Sequence, residues 1–66
     1  MTTTFDITAQ REGHWWLIQV PELGCATQAR RRSQVESTAR DLIAVWLDVP
    51  LGSFDIRLVD AAYGTA

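Results

Sequence analysis

The chain has 66 residues and a formal net charge of −2, with 47% hydrophobic and 21% charged residues. This length allows a single domain over residues 1–66 and excludes large barrels and doubly wound sheets. The composition is too apolar for a disordered chain, and no stretch has the ~20 apolar residues of a membrane-spanning helix. A single cysteine and a start without the features of a signal peptide favour a reducing cytoplasm.

Two strands are predicted at the start of the chain. Apolar and polar side chains alternate over residues 3–10, which is typical of a strand with one buried face. Residues 14–20 form a second strand that is apolar on both faces. The residues expected to face the core are Phe5, Ile7, Ala9, Trp16, Ile18 and Val20.

The turn between these strands predicts a register. If Glu12 and Gly13 form a two-residue loop, Arg11 lies opposite His14, and Gly13 supplies the positive φ of a tight hairpin. The two apolar rows then meet. The predicted pairs are Ala9 with Trp16, Ile7 with Ile18, and Phe5 with Val20.

One helix and two further strands complete the chain. Residues 25–30 form a third strand, and the capping box from Ser33 to Glu36 predicts the start of a helix over residues 34–47. Pro50 is expected to end this helix. Its apolar face is predicted from the residues at helical spacing, which are Val35, Ala39, Leu42, Ile43 and Trp46, whereas Arg40 is expected to be exposed. Residues 54–59 form a fourth strand, and the tail from Asp60 is expected to fray.

The order of these elements is β-β-β-α-β, which predicts an α+β fold. A single helix covers only one face of a four-stranded sheet, so the other face is open. The helix connects the third strand to the fourth, and such connections usually lead to a parallel neighbour. We therefore predict the strand order 3-2-1-4, with the fourth strand beside the first.

The sequence offers no catalytic constellation. The only histidine, His14, lies by a turn, and Cys25 is most simply a small buried side chain. The acidic residues are scattered, metal-ligand spacing is missing, and there is no glycine-rich phosphate loop. We therefore expect a protein that is not an enzyme and needs no metal or cofactor.

The open face of the sheet is the first candidate site. Trp15 and Leu17 point away from the helix, and a tryptophan exposed beside a leucine is typical of an interface. Gln19, Glu22 and Leu23 complete the predicted interface. A second copy of the chain and a different protein are equally suitable partners, and partial cover of Trp15 by its neighbours is the simpler alternative.

A cluster of arginines is the second candidate site. Arg30, Arg31 and Arg32 precede the helix, and the predicted topology places Arg11 at the same end. Glu22 and Asp48 lie at the opposite end, so the domain has a basic and an acidic pole. The cluster is either a solvated loop or a docking site for an acidic partner or a phosphate backbone.

Residues 13–28 resemble the signature of the HicB family of antitoxins. The resemblance consists of a glycine turn, an aromatic-rich strand, a Pro-Glu-Leu-Gly-Cys run and a Thr-Gln strand. The helix and residues 48–56 are similar to short members of the same family. The family's second proline, between Leu23 and Gly24, is missing, and Ala29 stands where a glycine is common.

The resemblance implies a partial ribonuclease-H-like fold without nuclease carboxylates. It also implies a function, the neutralisation of a small, basic, mRNA-cleaving toxin of the HicA type by formation of a protein complex. The chain holds no helix-turn-helix or ribbon-helix-helix segment, so the operator-binding role of the family is not carried over.

Two other functions stay open at this stage. One is a small nucleic-acid-binding or regulatory protein that acts through residues 30–32, although the negative net charge disfavours direct nucleic-acid binding. The other is a purely self-associating structural domain. We expect at least a dimer, because so small a core gains from a shared interface. The edge of the third strand and the face around Trp15 are both candidate surfaces for it.

Overall fold

The computed structural model describes the backbone of residues 3–62 and the side chains of residues 3–59. The elements are β1 (Thr3–Glu12), β2 (Trp15–Val20), β3 (Cys25–Ala29), a 3-10 turn (Arg32–Gln34), α1 (Val35–Leu47) and β4 (Phe54–Ala62). The strands form one sheet in the order β3-β2-β1-β4. The predicted α+β fold, with its strand order 3-2-1-4 and single helix, is confirmed.

The core lies between α1 and one face of the sheet. β1 pairs antiparallel with β2 and parallel with β4, and β2 pairs antiparallel with β3. Alternate residues of the strands are buried beneath the helix, as the period-two pattern predicts. The core residues are Phe5, Ile7, Ala9, Trp16, Ile18, Val20, Cys25, Ala29, Val35, Ala39, Ile43, Ala44 and Phe54.

The predicted register of the first hairpin is wrong by two residues. Glu12 pairs with Trp15, and Ala9 pairs with Ile18 rather than with Trp16. The loop therefore consists of Gly13 and His14, with Gly13 at the first central position and a φ of 64°. A shift of two residues preserves the side of the sheet on which each side chain lies, so the apolar rows still meet.

The predicted capping box is also wrong. A 3-10 turn precedes the helix, and no side chain caps the first amides of α1. Glu36 instead pairs with Arg32, whose Nη1 donates to Oε1 at 2.8 Å. An arginine one helical turn before a glutamate competes for the carboxylate that would otherwise bond back to the serine.

The helix ends at Leu47, before the chain reaches Pro50. Asp48 is left-handed, with a φ of 56°. Its amide donates to the carbonyl of Val45 at 3.3 Å, and the amide of Val49 donates to the carbonyl of Ala44 at 3.0 Å. This pair of hydrogen bonds is a Schellman motif, which uses the last free carbonyls of the helix.

The buried face of α1 differs from the prediction at two positions. Trp46 is 56% exposed, and Ala44 is buried in its place. The chain reverses at Asp48, and Val49 packs against the core, so the last turn of the helix is covered from a different side. Arg40 is half-buried rather than exposed, because its guanidinium bonds carbonyls of the loop and of β4.

β4 is longer than predicted. Its pairing with β1 is irregular at Val59, and beyond this bulge Asp60, Ala61 and Ala62 pair with Thr8, Ala9 and Gln10. The expectation that the chain frays from Asp60 is therefore wrong for residues 60–62. The remainder of that predicted tail, residues 63–66, lies outside the described residues. Because the bulge adds one residue, Asp60 stands opposite Thr8 rather than opposite the core residue Ala9.

Candidate functional site

One face of the sheet is not covered by the helix. On β2, the buried residues alternate with Trp15, Leu17 and Gln19, which lie on the uncovered face. Trp15 is 37% exposed and Leu17 is half-buried. We call this side of the sheet the open face. The structure thus places three of the five predicted interface residues together on one strand.

The open face is divided into a neutral half and a charged half. Within the described residues, the side chains of β2 and β3 on this face carry no charge: Trp15, Leu17, Gln19, Ala26 and Gln28. On the β1–β4 half, the Nε of Arg57 donates to Asp6 at 3.0 Å, and its Nη2 forms an ion pair with the same carboxylate oxygen at 2.9 Å. The part of the face around β2 therefore combines exposed apolar area with neutral neighbours, whereas the exposed Val59 of β4 lies on the charged half.

A shallow groove lies at the hairpin end of the open face. It encloses about 540 Å³ and is lined by His14, Trp15, Gln28, Ala29 and Arg30. Glu12 pairs with Trp15 across the hairpin, so its exposed carboxylate lies on the same face. An indole and an arginine thus line one concave surface, and the carboxylate of Glu12 lies beside the indole on the β1 side.

Glu22 and Leu23 do not belong to this surface. Both lie in the turn that connects β2 to β3, at the opposite end of β2 from Trp15. Leu23 is half-buried and packs against the core, whereas Glu22 is exposed. The predicted set of five interface residues is therefore divided between the open face and this turn.

The basic pole contains arginines whose side chains are paired and arginines whose side chains are not. Trp16 pairs with Arg11 on one side and with Ala29 on the other, so Arg11 and Arg30 lie at the same end of the sheet. The Nε of Arg11 donates to the carbonyl of Gly13 at 3.2 Å, and Arg32 is paired with Glu36. Within the described residues, Arg30 and Arg31 are exposed and their side chains make no hydrogen bond or ion pair. The predicted cluster thus provides two free guanidinium groups.

The candidate catalytic groups are not brought together. Cys25 is buried, and burial raises the pKa of its thiol, which keeps it protonated and unreactive at neutral pH. His14 is exposed in the hairpin loop. In the part of the chain that the structure describes, no group of three or more His, Cys, Asp or Glu residues could hold a metal ion.

A second exposed apolar surface was not predicted. Val45 is 81% exposed, and Trp46, Leu47 and Leu51 are also exposed around the end of α1. The sequence carries a signal for it. Three consecutive apolar residues cannot all face the core, because successive helical residues point about 100° apart.

The chain matches no family model, no curated protein and no solved structure. Across residues 3–62, no helix has the length and apolarity required to cross a membrane. The resemblance to the HicB family stays a prediction, and the geometry of the open face is the main basis for a function.

Proposed function

We propose that the protein is an antitoxin-like binding protein of the cytoplasm, which neutralises a HicA-type mRNA-cleaving toxin by forming a complex with it. The observation that carries this proposal is the exposure of Trp15 beside Leu17 on the open face of the sheet. The proposed function requires no chemistry from the chain itself. Neutralisation results from covering the surface with which the toxin binds RNA.

Trp15 has the features of an interface anchor. Tryptophan is enriched among the residues that dominate binding energy, especially where less critical contacts exclude water around it. The neutral side chains of β2 and β3 provide such surroundings, because their desolvation does not require the burial of a charge. A small partner seated on this half of the face would bury the indole and the exposed part of Leu17.

The acidic charge next to Trp15 suits a basic partner, whereas Arg30, which lines the groove on the other side of the indole, does not. Glu12 lies directly across the hairpin from Trp15, and the chain has a net charge of −2. Complementary charge mainly accelerates encounter and selects the correct partner. An RNA-cleaving toxin needs a basic surface for its substrate, so the same surface is the one that an acidic protein would occupy.

A second candidate function is suggested by the two free arginines. Arg30 and Arg31 could bind a phosphate backbone, in which case binding would decrease steeply with added salt. The basic pole is small, however, since Arg11 and Arg32 are engaged within the chain and Glu12 lies close by. We therefore rank nucleic-acid binding below toxin binding.

The test is co-expression with the product of the adjacent gene, where that product is a small basic protein. We expect the two proteins to purify together and the toxin to be silenced. Trp15→Ala should weaken the complex at least about tenfold, as is usual for a tryptophan anchor. Val45→Ala is the control, because Val45 is an exposed apolar residue on the helix side of the domain.

Two results would contradict the proposal. The first is equal weakening by Trp15→Ala and Val45→Ala, which would remove the role of the open face. The second is the failure of the chain to bind or silence the basic product of the adjacent gene. Circular dichroism of both variants verifies that each one is folded before the comparison is made.

A further inference from the structure

The two edges of the sheet are protected to different degrees. The outer edge of β4 carries Asp55 and Arg57 and is interrupted by the bulge at Val59. Charges and bulges of this kind prevent edge strands from pairing with other chains. β3 has neither feature, since its five residues are Cys-Ala-Thr-Gln-Ala. Among the described strands, only β2 pairs with β3, so its outer edge is free.

The charges beside β3 are arranged so that two copies complement each other. Glu22 is exposed in the turn before the strand, and the unpaired Arg30 and Arg31 follow directly after it. A second copy that pairs antiparallel reverses this order. The acidic end of each strand then lies beside the basic end of the other, so the same contact occurs twice because of the twofold symmetry.

The register that centres this pairing on Thr27 brings no charged or aromatic side chains of β3 together. Cys25 would lie opposite Ala29 of the second copy, and Ala26 opposite its Gln28. Continuing outward, Arg30 and Arg31 would lie opposite Gly24 and Leu23 of the second copy, within reach of its Glu22. Alternate residues of β3 direct their amides and carbonyls away from β2, and these groups would form the new ladder.

The exposed apolar end of the helix lies on the side of the domain where the free edge of β3 is found. Arg40 points towards β4, because it bonds the carbonyl of Phe54. Leu42 follows two residues later, about 200° around the helix, and Trp46 lies one turn beyond Leu42. Both side chains therefore lie on the β3 flank of α1. Antiparallel pairing keeps the two helices on one face of the joined sheet, with their β3 flanks turned towards each other.

We propose that two copies of the chain pair antiparallel through β3 to form an eight-stranded sheet. Arg30 and Arg31 of each copy contact the turn that holds Glu22 in the other, and Trp46 of each copy covers the groove between the two helices. This inference does not depend on the proposed function. Trp15 and Leu17 lie on the opposite face of the sheet and stay free for another partner.

Charge reversal provides the first test, with the mass in solution measured over a range of concentrations. We expect a dimer that is weakened about tenfold by Glu22→Arg and by Arg31→Glu, since each change creates two repulsive contacts. Mixing the two variants should restore a tight heterodimer. In the mixture, arginine meets glutamate at one contact, and glutamate meets arginine at the other.

Hydrogen exchange and a pair of tryptophan variants provide the second test. In the dimer, all amides of β3 should be protected, whereas a free edge leaves alternate amides to exchange rapidly. Trp46→Ala should weaken the dimer, and Trp15→Ala should not. A monomer at every concentration would overturn the proposal. A dimer that tolerates both charge reversals but is lost on Trp15→Ala would overturn it equally, in favour of packing between open faces.

Discussion

Arg40 connects the middle of the helix to the start of the last strand through Phe54. Its guanidinium carbon lies 5.5 Å from the centroid of the Phe54 ring. Its Nη1 donates to the carbonyl of Phe54 at 2.8 Å and to that of Leu51 at 3.0 Å. One charged side chain thus satisfies two carbonyls of the segment between α1 and β4 and lies over an aromatic ring of the core.

Replacing this arginine should therefore destabilise the fold. We expect Arg40→Ala to lower the free energy of unfolding by roughly 2 kcal/mol, because two carbonyls lose a charged donor. Arg40→Lys should recover only part of the loss, since an ammonium group lacks the planar fork of a guanidinium. Urea denaturation measures both values.

Arg57→Ala is the control for this prediction. Arg57 is also paired, but its ion pair with Asp6 is exposed, and such pairs contribute less than about 1 kcal/mol. Equal destabilisation by Arg40→Ala and Arg57→Ala would show that the contacts of Arg40 with Leu51 and Phe54 do not support the fold.

Replacing the left-handed residue at the end of the helix with glycine should increase the stability of the protein. Asp48 has a φ of 56°, and its carboxylate lies at the negative end of the helix dipole. We expect Asp48→Gly to raise the free energy of unfolding by about 1 kcal/mol, because glycine adopts this conformation without strain. Asp48→Asn removes the charge but keeps a side chain, so the difference between the variants separates the two effects.

A β-branched residue at the same position gives the opposite result. Asp48→Val should destabilise the protein by about 1–2 kcal/mol, because valine is strained at positive φ. If glycine and valine had the same effect in thermal unfolding, the left-handed Schellman motif would not form in solution.

The arrangement of the sheet could be predicted because the alternation of apolar and polar residues determines which side chains are buried. The apolar row of β1 and the two-sided pattern of β2 fix which face is buried, and the single helix fixes which face is open. The register could not be fixed in the same way. A shift of two residues leaves every side chain on its face, so only the preference of Gly13 for the first loop position distinguishes the two pairings.

The candidate site could be predicted where it depends on local pattern. Trp15 and Leu17 belong to the open face because they alternate with core residues. The exposure of Trp46 depends instead on the path of the chain after Asp48, which determines how the last turn of α1 is covered. The contacts of Arg40 join residues 14 positions apart, which a helical repeat does not indicate.

The corrected helix face can be tested with two neighbouring residues. Ile43 is fully buried and Val45 is 81% exposed. Ile43→Ala should cost about 2–5 kcal/mol through loss of packing and creation of a cavity. Val45→Ala should change stability by less than about 0.5 kcal/mol, as is usual for an exposed site. Similar losses for the two variants, measured by urea denaturation, would mean that α1 is rotated from the position described.

Because the thiol of Cys25 is buried, we predict that the stability of the protein depends on pH. Burial raises the pKa of Cys25 because the thiolate would lose hydration in the folded state. Below the ordinary thiol pKa of about 8.5, folded and unfolded chains both hold the proton, so Cys25 contributes no pH dependence. As pH rises above this value, the unfolded chain releases its proton while the folded chain retains it. Stability therefore falls until pH exceeds the raised pKa of the folded state.

Cys25→Ala isolates this contribution. The free energies of unfolding of the parent chain and the variant are compared at about pH 7, where the thiol is protonated in both states, and at about pH 9.5, above the ordinary thiol pKa. The parent chain should lose more stability than Cys25→Ala over this interval. The native thiol should also react slowly with a thiol reagent at neutral pH. An identical pH dependence for the two proteins would show that Cys25 is not buried in the folded chain.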